Sequence, residues 1–258
     1  MKGSSTTVFG PDFPFAYDDW LAHPSGLGSV PSAKYGTPVA IIGAGMSGLV
    51  AAYELMKLGL RPIVFEQGRM GGRLRSQRFT NGHDIVAELG GMRFPESATA
   101  FDHYRRLANL RLEPFPNPLT EAAGTTVIDL AGVTRIARTV DDLPEDFKLV
   151  AQAWQDALET EAHFSKIQEA IRAKDAIEVK RHWDILVRDW DDRTFYDFIA
   201  TSKAFKQLTF KHREMFGQVG FGTGGWDSDF RNTMLEILRV VLTAVSYTHL
   251  TLPTILLV

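Results

Sequence analysis

Apolar and polar positions follow two rhythms along the chain. Residues 39–42, Val-Ala-Ile-Ile, form a short β-branched run, the pattern of a strand buried on both faces. Residues 49–58 are rich in Leu, Ala and Met and predict a helix, which Gly59 stops at its C-cap position. Residues 61–66 predict a second strand that ends on Glu66. Strands at 126–130 and 133–136, with Gly132 between them, predict a hairpin. From 142 to 189 the rhythm turns helical. Asp141 or Asp142 can cap, Pro144 suits a first turn, and Phe147, Val150, Ala151, Trp154 and Leu158 recur at helix spacing. Further helices are predicted at 175–187, 194–200, 212–219 and 232–241, with their aromatic stripes as core.

The first 36 residues break both rhythms. Pro11, Pro14, Pro24 and Pro31 with several glycines favour an irregular, extended arm over a helix. Phe9, Phe13, Phe15, Tyr17 and Trp20 in that arm call for a body to pack against. Residues 1–10 carry one lysine and no apolar segment after it, so no export signal is read and a cytoplasmic location is expected.

Composition narrows the function classes. The 258 residues fit one large domain or two small ones, with 45% hydrophobic residues, enough for a core. The net charge of −3 argues against a nucleic-acid partner, and no apolar run is long enough to span a bilayer. With no cysteine, disulfides, thiolate catalysis and cysteine-ligated zinc are excluded. The seven histidines show no helical zinc spacing, so no metal site is expected, and the Gly-x-Ser-x-Gly signal of many hydrolases is missing.

The chemistry concentrates in three glycine-rich turns. Gly43, Gly45 and Gly48 follow the first strand at once and open the first helix, which is the dinucleotide fingerprint in its required setting. The first glycine makes the turn, the second lets backbone approach a pyrophosphate, and the third lets helix pack on strand. The helix N-terminus offers N–H groups and a positive dipole end to phosphates. Glu66, at the end of the second strand, is placed to accept from ribose hydroxyls and disfavours a 2′-phosphate. Gly71-Gly72-Arg73 comes next. Its arginine either pairs with phosphate oxygens or sits in solvent on a surface loop. In the third turn, Gly90-Gly91-Met92-Arg93-Phe94 follows a short strand. Arg93 either grips a substrate carboxylate or pairs with an acid such as Glu88.

On these motifs the chain resembles the flavin amine oxidases, a family that includes L-amino-acid oxidases and amino-acid monooxygenases. Within the family the likeness is greatest to the bacterial lysine monooxygenases. It runs from about residue 9 to about residue 243 and includes 9–15, 114–120, 190–197 and 217–230. Tryptophan and phenylalanine monooxygenases share the flavin motifs. The resemblance implies an α/β fold: a Rossmann-like FAD-binding domain with a parallel sheet, plus the start of a helical substrate-binding domain. The expected spans are 1–36 for the arm, 37–140 for the FAD-binding part and 141–243 for the helical part. It also implies roles. Gly43, Gly45 and Gly48 would hold the FAD pyrophosphate and Glu66 the ribose. Gly72 and Arg73 would lie by the phosphates, Gly91 and Met92 beside the flavin ring, and Arg93 on the substrate α-carboxylate. The implied activity is oxidation of a free L-amino acid, with lysine decarboxylated to an amide by O2, by a parent enzyme expected to be a homo-oligomer. Plain oxidase chemistry and an inactive FAD-binding fragment are the alternatives.

Two features at the end of the chain complete this reading. Five glycines lie between 217 and 225, followed by Trp226, Asp227, Ser228 and Asp229. Asp229, or else Asp227, either takes the distant ammonium of a lysine substrate or serves as a turn and capping aspartate. Residues 244–258 depart from the family pattern and resemble translated sequencing-adapter read-through. The chain is therefore expected to be the first half of an enzyme. Elements without their packing partners would expose apolar patches, and the chain alone would aggregate or fail to retain FAD.

Overall fold

The computed structural model describes residues 9–22, 28–79, 86–91, 94, 98–114, 116, 118–219 and 232–244. The fold is mixed α/β, in two compact units. One comprises Tyr17–Phe94 with Ala100–Leu110, and the other Met1–Ala16, Pro95–Thr99 and Arg111–Val258.

In the first unit, β1 (Pro38–Ile42) leads through α2 (Met46–Lys57) to β2 (Arg61–Phe65), after a short α1 (Asp18–Ala22). The two strands pair in parallel, with Pro38 opposite Arg61 and Ile42 opposite Phe65. A parallel pair needs a crossover, and the helix supplies it. β3 (Ser76–Arg78) and β4 (Val86–Glu88) form an antiparallel pair, and α3 (Thr99–Leu107) closes the unit. Ala108 and Asn109 end α3, with Asn109 at φ 52°.

Two expectations fail here. β1 is not buried on both faces: its residues alternate between exposed and half-buried, and Ile42 is 93% exposed. Double burial needs a layer on each side, and among the described residues this sheet has two strands. Phe65, Met56 and Leu49 are exposed as well. The arm, in turn, is not extended throughout. Residues 18–22 turn helical, with Asp18 and Asp19 at the favourable N-terminal end and no proline between Phe15 and Ala22. Trp20 stacks on Tyr104 of α3, with ring centroids 5.6 Å apart.

The second unit opens with the hairpin β5 (Thr126–Leu130) and β6 (Val133–Ala137). Seven helices follow: α4 (Glu145–Glu161), α5 (Phe164–Arg172), α6 (Ala176–Trp190), α7 (Phe195–Thr201), α8 (Lys203–Lys206), α9 (Phe210–Val219) and α10 (Met234–Ala244). The caps are legible in the sequence. Asp175 accepts from the backbone of Ile177 and Glu178 at the start of α6, and Thr194 forms a reciprocal capping box with Asp197 at α7. Asp142 does not cap α4. It holds the Arg138 and Thr139 amides of a preceding 3-10 turn, which keep its carboxyl below the usual aspartate range, and Pro144 takes the cap position.

Trp154, Trp183, Phe198, Phe205 and Phe216 are fully buried and form one core with Leu158, Ile167 and Leu238. Ile128 and Ala137 of the hairpin, which the sequence reading groups with the dinucleotide-binding span, join this core. The N-terminal arm is pinned to it through Asp12, which accepts from the Trp183 indole and from Arg239, both at 2.5 Å. Among the described residues no helix is long and apolar enough to cross a membrane.

Candidate functional site

The candidate site is built where β1 hands over to α2. Gly43 donates its amide to the Phe65 carbonyl at 2.7 Å and adopts φ +97°, a conformation side chains rarely take, so the chain can reverse at once. Gly48 lies in the first turn of α2. A Cβ there would stand 2.0 Å from the Gly43 carbonyl oxygen, so the helix can start this close to the strand only with glycine. Gly45 caps α2 without a side-chain hydrogen bond. The first-turn amides of such a helix have no intrahelical acceptors and form an anion site.

Glu66 closes this turn from the side. Its carboxylate accepts the Ala44 amide at 2.7 Å and the Gly68 amide at 2.8 Å. These two backbone donors, Ala44 first, hold its pKa below the usual glutamate value, so it is an anion at neutral pH. The fingerprint turn and the acid predicted to read a ribose are thus in direct contact.

The second glycine turn docks on the first, and the third on the second. Gly71 forms a parallel bridge with Gly45 and donates to the Ala44 carbonyl at 2.9 Å. Gly91 donates to the Arg73 carbonyl at 3.2 Å, and Leu89 to the Arg75 carbonyl at 2.7 Å. Gly43, Gly45, Gly48, Gly72, Arg73 and Gly91 therefore lie in one continuous run of close backbone approaches, which Glu66 joins through its carboxylate. The Arg73 side chain is exposed and makes no hydrogen bond or ion pair among the described residues. Glu88, the acid weighed as an arginine partner, accepts the Ser76 hydroxyl at 2.7 and 2.8 Å. Met92, Arg93, Asp227 and Asp229 lie outside the described residues.

Sequence reasoning missed a polar hub beneath the site. Glu54 on α2 is 5% exposed, accepts from the Tyr104 hydroxyl at 2.9 Å and pairs with Lys57 at 2.9 Å. Burial, with the Glu54 carboxylate beside it, raises the Tyr104 pKa. A glutamate among Ala, Tyr, Leu and Met on a core-facing helix was the available signal. The hub ties α2, which carries the fingerprint, to α3, which follows the Gly90-Gly91 turn.

Residues 46–253 match the family model described as flavin containing amine oxidoreductase. The chain belongs to that family. Tryptophan 2-monooxygenase of Pantoea agglomerans pv. gypsophilae is 30% identical over 236 residues, covering 84% of this chain and 42% of that protein. The enzyme of the same name from Pseudomonas savastanoi is 30% identical over 90% of this chain and 45% of its own length. A phenylalanine 2-monooxygenase precursor from a Pseudomonas species is 25% identical over 84% of this chain and 40% of its own length. A putrescine oxidase triple mutant with redesigned cofactor binding matches at TM-score 0.53 and 24% identity, covering 81% of this chain and 42% of that one, which shows a shared fold. The chain spans less than half the length of these curated relatives.

The cofactor of this flavin family is FAD, and the residues fit it. A dinucleotide turn, an anion-binding helix start and an ionised acid at the next strand end meet the needs of a pyrophosphate and a ribose diol. FAD would supply, when bound, an acceptor for two electrons.

Proposed function

We propose that this chain is the FAD-binding and first helical part of an amino-acid 2-monooxygenase. The reaction is R–CH(NH3⁺)–COO⁻ + O2 → R–CO–NH2 + CO2 + H2O, with free L-lysine as substrate. The observation that carries this reading is the joined run of the three glycine turns with Glu66. The relatives named for tryptophan and phenylalanine 2-monooxygenation support the reaction class. The resemblance to lysine monooxygenases supports the substrate.

The residues of this chain divide the work. Gly43, Gly45 and Gly48 hold the pyrophosphate: Gly43, its own amide bound to Phe65, reverses the chain, and Gly45 and Gly48 bring the start of α2 up to the phosphates, while Gly72 lies beside them and Arg73 offers the counter-charge. Glu66 accepts from the ribose hydroxyls. Gly91 and Met92 run beside the flavin ring. Arg93 orients the substrate by its α-carboxylate through a two-pronged hydrogen bond. Asp229 holds the distant ammonium of lysine. We place the protein in the cytoplasm and expect the working enzyme to be a homo-oligomer.

The test is oxygen consumption by the complete, FAD-loaded enzyme of which this chain is a part, on L-lysine, L-tryptophan and L-phenylalanine, with products identified by mass spectrometry. The expected product is an amide one carbon shorter than the substrate, formed fastest from lysine. Keto acid, ammonia and peroxide would establish an oxidase instead. Fastest turnover of tryptophan would move the substrate to the aromatic class, which the named relatives favour. In the complete enzyme Asp229→Ala should raise the KM for lysine far more than that for uncharged amino acids, and equal losses would remove Asp229 from the site.

A further inference from the structure

A second candidate binding site lies wholly within the helical unit, between α7 and α9. Phe210, Arg213 and Glu214 stand at i, i+3 and i+4 on α9 and so share one face. Tyr196, Ile199 and Ala200 have the same spacing on α7. The two triplets line one cleft of about 70 Å³. Ile199 is 1% exposed and forms an apolar floor. Ala200 leaves the space open because its side chain is a single methyl group. Tyr196 and Phe210 are exposed and stand at the rim.

The two charged side chains of the cleft are the groups of interest. The Arg213 Nε is buried and has no hydrogen-bond partner. Neither Arg213 nor Glu214 forms a side-chain hydrogen bond or ion pair among the described residues, although they are neighbours in sequence. Nearby side chains are used differently: Lys211 and His212 face Asp146. A desolvated guanidinium donor with no acceptor is rare in folded proteins and marks a place where a ligand can supply one. A carboxylate matches the guanidinium fork. Glu214 beside it offers the opposite charge, which suits an ammonium. Two aromatic rims flank an apolar body and favour a cation above their faces.

We infer that this cleft binds the zwitterionic head of an apolar α-amino acid, with the carboxylate on Arg213, the ammonium on Glu214 and the side chain between Tyr196 and Phe210. The volume holds the head group, and the side chain lies along the open rim. The site is formed within the helical unit alone and does not depend on the FAD reading. If the proposed activity is correct, it gives the protein a second place to sense amino acids.

The experiment is ligand-observed NMR titration of the full chain with three probes: L-phenylalanine, 3-phenylpropionate, which lacks the amine, and 2-phenylethylamine, which lacks the carboxylate. L-phenylalanine should bind tightest. Arg213→Gln and the space-filling Ala200→Leu should each weaken it at least about tenfold, with unchanged near-UV circular dichroism. Glu214→Gln should weaken L-phenylalanine and leave 3-phenylpropionate as it was. No binding of L-phenylalanine at millimolar concentration, equal binding of the three probes, or binding indifferent to both Arg213→Gln and Ala200→Leu would overturn the proposal. The last result would place the amino acid elsewhere on the chain and would leave the FAD reading untouched.

Discussion

In the helical unit Trp154, Trp183, Phe198, Phe205 and Phe216 are sealed from solvent, while in the dinucleotide-binding unit Ile42, Phe65 and Met56 face outward. The helical unit is held by side-chain burial between helices. The dinucleotide-binding unit keeps its site in order through backbone, Gly43 to Phe65, Gly71 to Ala44 and Gly91 to Arg73, with the Glu66 carboxylate on the Ala44 amide. The contrast teaches that a ligand-binding turn and a hydrophobic core need different things. The turn needs a few neighbours within hydrogen-bond reach. The core needs layers, and the sheet formed by β1 and β2 has too few among the described residues.

Substitutions separate the two modes. Phe198→Ala empties a fully buried site beside Trp154 and Trp190 and should destabilise the helical unit by about 3–5 kcal/mol, read by urea denaturation with near-UV circular dichroism. Gly48→Ala drives a methyl group into the Gly43 carbonyl. It should loosen the dinucleotide-binding unit by roughly 1–3 kcal/mol, with amide exchange in α4 and α6 unchanged. Uniform exchange changes in both units would break the comparison. Glu66→Gln removes the charge but keeps one oxygen acceptor. FAD affinity, followed by flavin fluorescence, should fall about tenfold, near 1.4 kcal/mol.

Acidification should tell the units apart without mutation. His163 and His182 place their Nδ1 atoms 3.2 Å apart, at the start of α5 and inside α6. Burial lowers both pKa values, and the cations Lys166 and Arg181 add to it, against the weaker opposing pull of Asp189 on His163 and Glu178 on His182. The folded state therefore favours neutral rings. Their stabilisation is complete above the ordinary histidine value of 6.5 and is lost as the pH falls below it. Glu66 has a lowered pKa, so its contribution is present above the ordinary value of 4.5 and fades only as the pH falls through its lower folded value. Between pH 6.5 and 5, α5 and α6 should lose hydrogen-exchange protection while the glycine turns keep theirs. The smallest effect belongs to Ile42→Ala, which should change the stability of the chain by no more than about 0.5 kcal/mol because the side chain is already in water. A larger loss would show that Ile42 is covered in solution.

Much of this was readable from residues. Asp175 and Thr194 marked two helix starts because caps act within three residues, and Gly43, Gly45 and Gly48 marked the tight turn from β1 into α2 because close backbone approach needs glycine there. Other features escaped. The buried Glu54 is joined to Tyr104, fifty positions away, and Asp12 to Arg239, 227 positions away. No local pattern carries such a pairing. The exposure of β1 escaped for the same reason, since an apolar run records a preference for burial and not the layers that supply it.

Strand, turn, helix and acid were thus settled by the order of residues, since sterics, capping and spacing act over a few positions. Which of those apolar faces found a covering layer, and which charges such as Arg213 were left in a cleft without a counterpart, was decided only when distant segments packed. Burial and pairing depend on neighbours in space, and the chain must fold before it has them.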